Sequence, residues 1–206
     1  MATIYQLKRH FQNLLRPLVK YLAGRGVTAN QVTLAAMGLS IVTGVLLVIF
    51  TAIAWLWLLI PLVLLVRMAL NAIDGMLARE HDMQSSLGAI LNELGDVISD
   101  VALYLPFALL DERGLWLVVV ICLLAIISEM MGVVAVQIGA SRRYDGPMGK
   151  SDRAFVFGAV GLLVGIEMAT TGWLLAVWVV IVVLLSLTIV NRARSALKEC
   201  RGPASE

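Results

Sequence analysis

The residues able to do chemistry in this chain gather between Arg67 and Asp100. Arg67, Asn71, Asp74 and Ala78 recur at three- and four-residue intervals and so share one face of a helix. Gly88, Asn92, Asp96 and Asp100 recur every four residues and form a second stripe. Apolar sequence flanks both, which puts carboxylates, amides and a guanidinium at or inside a membrane. Such groups are expensive to place there and mark functional sites. With glycine and alanine among them, the two stripes read as the walls of a site and not as a core. On residue types alone, buried Asp, Asn and Arg also line ion pathways, so a small polytopic transporter is an alternative.

The elements that must position these stripes follow from composition. Hydrophobic residues make up 60% of the 206 and charged residues 15%, with mean hydropathy +0.92. Soluble domains are nearer half apolar and a quarter charged, so the chain is expected to be an all-α integral membrane protein. Cys122 falls in an apolar stretch and Cys200 near the C-terminus, so neither a disulfide nor a cysteine metal motif is expected. The N-terminus is basic and amphipathic and lacks the apolar core of a cleavable signal.

Residues 1–26 are expected to form a juxtamembrane helix lying on the anionic leaflet. Ile4, Leu7, Phe11, Leu14, Leu15, Leu18 and Leu22 make its apolar face, and Pro17 is expected to kink or divide it. Gly24-Arg25-Gly26 breaks the helix, and Thr28 or Asn30 caps the next one. Residues 27–193 then hold six apolar stretches: Thr28–Phe50, Ala52–Arg79, Ser86–Leu110, Leu115–Ala140, Arg153–Ala169 and Trp173–Ile189. Each is expected to span the bilayer, and the last to continue helically into a cytosolic tail, 194–206. Fourteen cations fall on one side of this arrangement and only Arg113 on the other, so both termini and the site are expected to face the cytosol. Basic tail residues are explained by the same rule, and nothing points to nucleic acid.

The run Asn71-x2-Asp74-Gly75-x2-Ala78-Arg79-x8-Gly88-x3-Asn92-x3-Asp96 resembles the signature of the CDP-alcohol phosphatidyltransferases. That signature is Asp-x2-Asp-Gly-x2-Ala-Arg-x8-Gly-x3-Asp-x3-Asp, and every interval here is the same. The amphipathic N-terminal helix, Thr28-x-Asn30-x-x-Thr33 and the six spans extend the resemblance over most of the chain. It implies transfer of a phosphatidyl group from a CDP-diacylglycerol-like lipid nucleotide to an alcohol acceptor, with release of CMP, in a homodimer of the bacterial inner membrane. By position, Asn71, Asp74, Asn92 and Asp96 would form the shell of Mg²⁺ or Mn²⁺, and Asp96 would be the catalytic base. Gly75, Ala78 and Gly88 would admit the nucleotide beside Asp74, and Arg79 would face phosphate. Lys150 and Arg153, at the end of the basic 141–153 segment, would contact the acceptor or its phosphate.

Asn71 and Asn92 depart from the family, which has aspartate at both positions. A hard cation prefers oxygen ligands, and asparagine supplies a carbonyl oxygen without charge. Divalent binding should weaken, most of all for a second ion. Glu93 and Asp100 are not obvious substitutes, since Glu93 lies about 100° around the helix from Asn92. A catalytically weakened relative that still binds a nucleotide-lipid is therefore the alternative within the family. Counting from the turn at 80–85, Arg67 and Asp100 lie at matched depth and are expected to pair, since an unpaired charge there is costly. Glu129 is expected to be a hydrogen-bonded structural acid or a dimer contact, and His10 and His81 to be solvated.

Overall fold

Of the two residues expected to cap the second helix, Thr28 does so, within a capping box: its hydroxyl accepts from the Gln31 backbone N–H, while the Gln31 side chain accepts from the Thr28 N–H. It opens the second of seven α-helices found among the described residues. These are α1 (Ala2–Gly24), α2 (Ala29–Ile49), α3 (Leu59–Glu80), α4 (Ser86–Tyr104), α5 (Leu115–Gln137), α6 (Lys150–Gly165) and α7 (Thr171–Cys200). The structure, a computed structural model, describes residues 2–201, with backbone alone for residues 2–9 and Thr171. The side chains of Ile4, Leu7, Lys8 and Arg9, and the last five residues of the expected tail, lie outside what it describes. No strand occurs among the described residues.

The helix ends differ from the expected spans for local reasons. Pro106 converts the end of the third stretch into a 3-10 turn over Leu105–Leu109, and a second such turn, Ala54–Leu58, precedes α3. Pro17 does not divide α1, which runs through it. Gly26, at φ +76°, makes the break after α1. The last helix continues to Cys200, as its lack of any breaker predicts. Among the described residues, four helices are long and apolar enough to cross a membrane, within Ala29–Ile49, Ala54–Glu80, Leu115–Gln137 and Gly172–Cys200. Of the other two expected spans, α4 carries Glu93, Asp96 and Asp100, and α6 has 16 residues.

Packing places α2 against α3 and α4, α3 against α6 and α1, and α5 against α7. An aromatic cluster fills the centre: Tyr104 stacks on Phe157 at 3.9 Å and Phe157 on Trp178 at 5.4 Å, with Phe107 edge-on to Trp57 at 4.8 Å. Leu15, Val19 and Leu22 of α1 pack with Ile73, Met76 and Leu77 of α3. The expected apolar face of α1 is thus split, since Leu14 and Leu18 are exposed, as a face resting on lipid requires. Arg16 and Glu80 bond at 3.0 and 3.2 Å and tie α1 to the end of α3.

Close approach of α2 and α4 depends on Gly44, where an added Cβ would lie 2.1 Å from the Ala102 carbonyl oxygen. Gly44→Ala should therefore push the helices apart and cost about 1–3 kcal/mol. Thermal unfolding in detergent checks this; an unchanged midpoint would contradict the contact.

Candidate active site

The turn at 81–85 joins α3 to α4, and α2 packs against both, so the two polar stripes border the same region. Ser85 caps α4 by accepting from the Gly88 N–H at 2.9 Å. The result is a cleft of about 1490 Å³ lined by Asn30 and Thr33 of α2, Asn71, Asp74, Gly75, Ala78 and Arg79 of α3, and Gly88 and Asn92 of α4. His10, Phe11 and Leu14 of α1 close one side, and Ser151 reaches it from α6. Of the residues matched to the family motif, only Asp96 is not on the cleft wall. It lies behind Asn71, whose Nδ2 donates to Asp96 Oδ1 at 3.3 Å.

Asp74 is buried and accepts from the Thr33 hydroxyl at 2.8 Å. This contact joins α2 to the motif across 41 residues of sequence. Asn30 borders the cleft beside Gly88, where a Cβ would meet its Oδ1 at 2.7 Å. The signal for Thr33 and Asn30 in the sequence is the Thr28-x-Asn30-x-x-Thr33 spacing, which puts Asn30 and Thr33 on one helical face but by itself assigns them no chemical role. Gly75 leaves space beside the Arg79 guanidinium, which would lie 3.0 Å from an added Cβ.

Asp96 Oδ1 is held from several directions. Arg67 Nη2 donates to it at 3.5 Å and to the Asp96 carbonyl at 2.9 Å, and Lys150 Nζ forms an ion pair with the same oxygen. Among the described residues, Oδ2 has no protein donor. The carboxylate is thus oriented by one oxygen and offers the other.

Arg67 and Asp100 pair as their depth predicts, with Arg67 Nη1 donating to Asp100 Oδ1 at 2.6 Å. The pair belongs to a larger network. Arg153 Nη2 donates to Asp100 Oδ2 at 2.9 Å and to Glu129 Oε1 at 3.0 Å, and Arg192 Nη1 lies 3.5 Å from the same Glu129 oxygen. Arg67, Asp100, Arg153 and Arg192 are all buried. This corrects the expectation for Arg153: it begins the climb of α6 into the bundle, its side chain is enclosed, and its donors are spent on Asp100 and Glu129 rather than turned to an acceptor. Glu129 is the structural acid expected. Glu93 pairs with Arg142, which also lies 3.9 Å from Glu129, so neither Glu93 nor Asp100 stands in for the asparagines.

The 141–149 loop is fastened to α7. Arg143 bonds to Asp145 at 2.7 and 2.8 Å and to Glu199 at 2.7 Å, and its guanidinium holds the Asp145 carboxyl below the usual range. Met148 N–H donates to the Thr188 hydroxyl at 2.9 Å, which fixes the start of α6 and with it Lys150. His10 is exposed, as expected, but on the cleft rim; His81, at the end of α3, is partly covered.

For a divalent ion, the available donors are all oxygens, from Asp74, Asp96, Asn71 and Asn92, which suits Mg²⁺ or Mn²⁺. No group of three His, Cys, Asp or Glu residues able to hold a metal exists among the described residues, and Lys150 already occupies Asp96 Oδ1.

A sequence model of the CDP-alcohol phosphatidyltransferases matches residues 26–185. The inner membrane protein YnbA of Escherichia coli (strain K12) is 51% identical over 195 residues, covering 95% of this chain and 96% of that protein. Among solved structures, Mycobacterium tuberculosis phosphatidylinositol phosphate synthase with CDP-DAG bound aligns with a TM-score of 0.73 at 20% identity, over 87% of this chain and 92% of that one. The same synthase in complex with manganese and citrate aligns at 0.67 and 18%, over 88% of each chain. At such identities the likeness establishes a shared fold.

Proposed function

The chain belongs to the CDP-alcohol phosphatidyltransferase family, and from that membership we propose that it transfers the phosphatidyl group of CDP-diacylglycerol, or of a similar CDP-alcohol, to a hydroxyl acceptor. One observation carries the proposal. Gly75, Ala78, Arg79 and Gly88 line the same cleft as Asn71, Asp74 and Asn92, with Asp96 oriented directly behind. A transporter has no reason to keep that spacing. We place the transferase unit at 27–193, with 1–26 as its juxtamembrane helix and 194–206 as its tail.

The acceptor hydroxyl gives its proton to Asp96 Oδ2 as its oxygen bonds to the lipid-side phosphorus. The bond from that phosphorus to the bridging oxygen breaks, and its electron pair leaves with CMP. Arg79 meets phosphate charge at the cleft wall, while Gly75, Ala78 and Gly88 let the nucleotide approach the helices. Asp74, held by Thr33, and the oxygens of Asn71, Asn92 and Asp96 would hold Mg²⁺ or Mn²⁺. Such an ion supplies charge neutralisation and polarisation of phosphate oxygens. Lys150 pairs with Asp96 Oδ1 and leaves Oδ2 for the acceptor hydroxyl.

CMP release from CDP-diacylglycerol by purified protein, over a panel of alcohols with Mg²⁺ and Mn²⁺, tests the proposal and identifies the acceptor. A fold-mate solved with CDP-DAG makes that lipid the first substrate to try. Asn71 and Asn92 favour a second reading, a relative that binds nucleotide-lipid without transfer. Binding without CMP release across the panel would select it.

The relative named as an inner membrane protein and the four long apolar helices support placement in a bacterial inner membrane, where the family implies a homodimer. The cation asymmetry supports an orientation with the cleft, both termini and the 141–149 loop on the cytosolic side. A cysteine at Ser141, in a Cys200→Ser background, should react with an impermeant maleimide only after the membrane is opened. Labelling in intact cells would reverse the orientation.

A further inference from the structure

We propose that Lys150 is a resident cation of the transfer site, standing in for one of the two divalent ions that a four-aspartate motif would hold. The chain then works with one divalent ion per protomer. The inference rests on the transferase reading for its meaning, but its geometry is independent of it. Three observations lead here.

Lys150 Nζ forms an ion pair with Asp96 Oδ1, the carboxylate that the two stripes share with the charge network below. Its location is otherwise unfavourable. Lys150 is the first residue of α6, where the positive end of the helix dipole repels a cation. Asp152, in the same turn, is already engaged by the Gly149 N–H at 2.9 Å, so Asp96 is the partner that holds the ammonium.

Charge completes the argument. Asp74, Asp96, Asp100 and Glu129 supply four negative charges, and Arg67, Lys150, Arg153 and Arg192 supply four positive ones. Glu93 and Arg142 add one of each. With Arg79 on the cleft wall the site already carries one net positive charge without metal. Each divalent ion adds two more, and a CDP pyrophosphate diester returns only two negative charges, so a second ion would leave a large uncompensated positive charge in a partly buried site. The loss of carboxylates at Asn71 and Asn92 and the presence of Lys150 on Asp96 are thus two parts of one exchange. It also follows that the ion binds together with the nucleotide.

Mn²⁺ titration followed by the electron paramagnetic resonance of the free ion, on the purified full chain with and without CDP, reads this directly. Wild-type protein should bind one Mn²⁺ per protomer with CDP and bind it much more weakly without. Lys150→Met should tighten Mn²⁺ binding without CDP at least about tenfold, because a positive charge next to the ion is removed. Lys150→Arg, which keeps the charge, should retain the wild-type affinity and shows whether the position tolerates change. Lys150→Met with Asn71→Asp and Asn92→Asp should bind two ions. Two ions on wild-type protein, none even with CDP, or equal affinity in the Met and Arg variants would each overturn the proposal. CMP release measured in parallel separates the two ideas. If no acceptor supports transfer while Mn²⁺ binding still follows the charge at position 150, the transferase reading fails and the cation assignment stands.

Discussion

Asp100→Leu should leave little folded protein to purify. Asp100 joins two buried guanidiniums, accepting from Arg67 at 2.6 Å and from Arg153 at 2.9 and 3.3 Å. Leucine fits the space but strands both cations, and breaking a buried ion pair costs about 3–5 kcal/mol. That is a large part of the roughly 5–15 kcal/mol by which folded domains are stable. Arg67→Ala should cost less than Asp100→Leu, because Asp100 then keeps Arg153. An isolated Arg67–Asp100 pair could be replaced by Arg67→Met with Asp100→Leu at little loss, since each desolvation cost disappears. The network predicts otherwise: that double variant still deprives Arg153 of Asp100 and should stay well below wild type. Yield of monodisperse protein and the thermal midpoint in detergent measure both effects. A double variant as stable as wild type would mean that Arg153 does not depend on Asp100.

Asp96→Asn should reduce CMP release by about 10³-fold or more while the protein remains folded. The change removes the proposed base, whose contribution is typically about 10²–10⁴-fold, and a charged oxygen from the ion's shell. Folding should survive because the amide oxygen can still accept from Lys150 and Arg67, and the Asp96 carbonyl keeps its bond from Arg67. Asp74→Asn should also abolish release, through the ion and not the proton, since Thr33 can still donate to the new side chain. Added divalent ion should therefore rescue Asp74→Asn in part and Asp96→Asn hardly at all. Equal rescue of the two would mean that Asp96 acts only as a ligand. Asn71→Asp with Asn92→Asp should bind Mn²⁺ more tightly than wild type. If the variant binds tightly and turns over no faster, ion affinity is not what limits the reaction.

Much of this site was legible from local pattern. The three- and four-residue intervals of the two stripes, the helix cap at Thr28 and the depth match of Arg67 with Asp100 depend only on helix geometry and one short turn. Contacts between distant helices were not legible. The Thr33 bond to Asp74 joins residues 41 apart, and Arg153 reaches Asp100 across 53. In sequence, Arg153 looked like its basic neighbours in the loop. Only the start of α6 at Lys150 reveals that Arg153 already points into the bundle while Lys150 meets Asp96. Helix ends were missed where 3-10 turns at 54–58 and 105–109 interrupt continuous apolar sequence, which hydropathy does not detect.

The fate of the two phosphorus atoms of CDP-diacylglycerol tests the central claim most directly. With distinct radiolabels on the lipid-side and nucleoside-side phosphorus, purified protein, divalent ion and the accepted alcohol should part the labels. The lipid-side label should appear in a new phospholipid and the other in CMP, in equal amounts, and the Asp96→Asn protein should leave both in the substrate. Labels that stay together in intact nucleotide-lipid with every alcohol and ion tried, on wild-type protein that binds it, would contradict phosphatidyl transfer at this cleft.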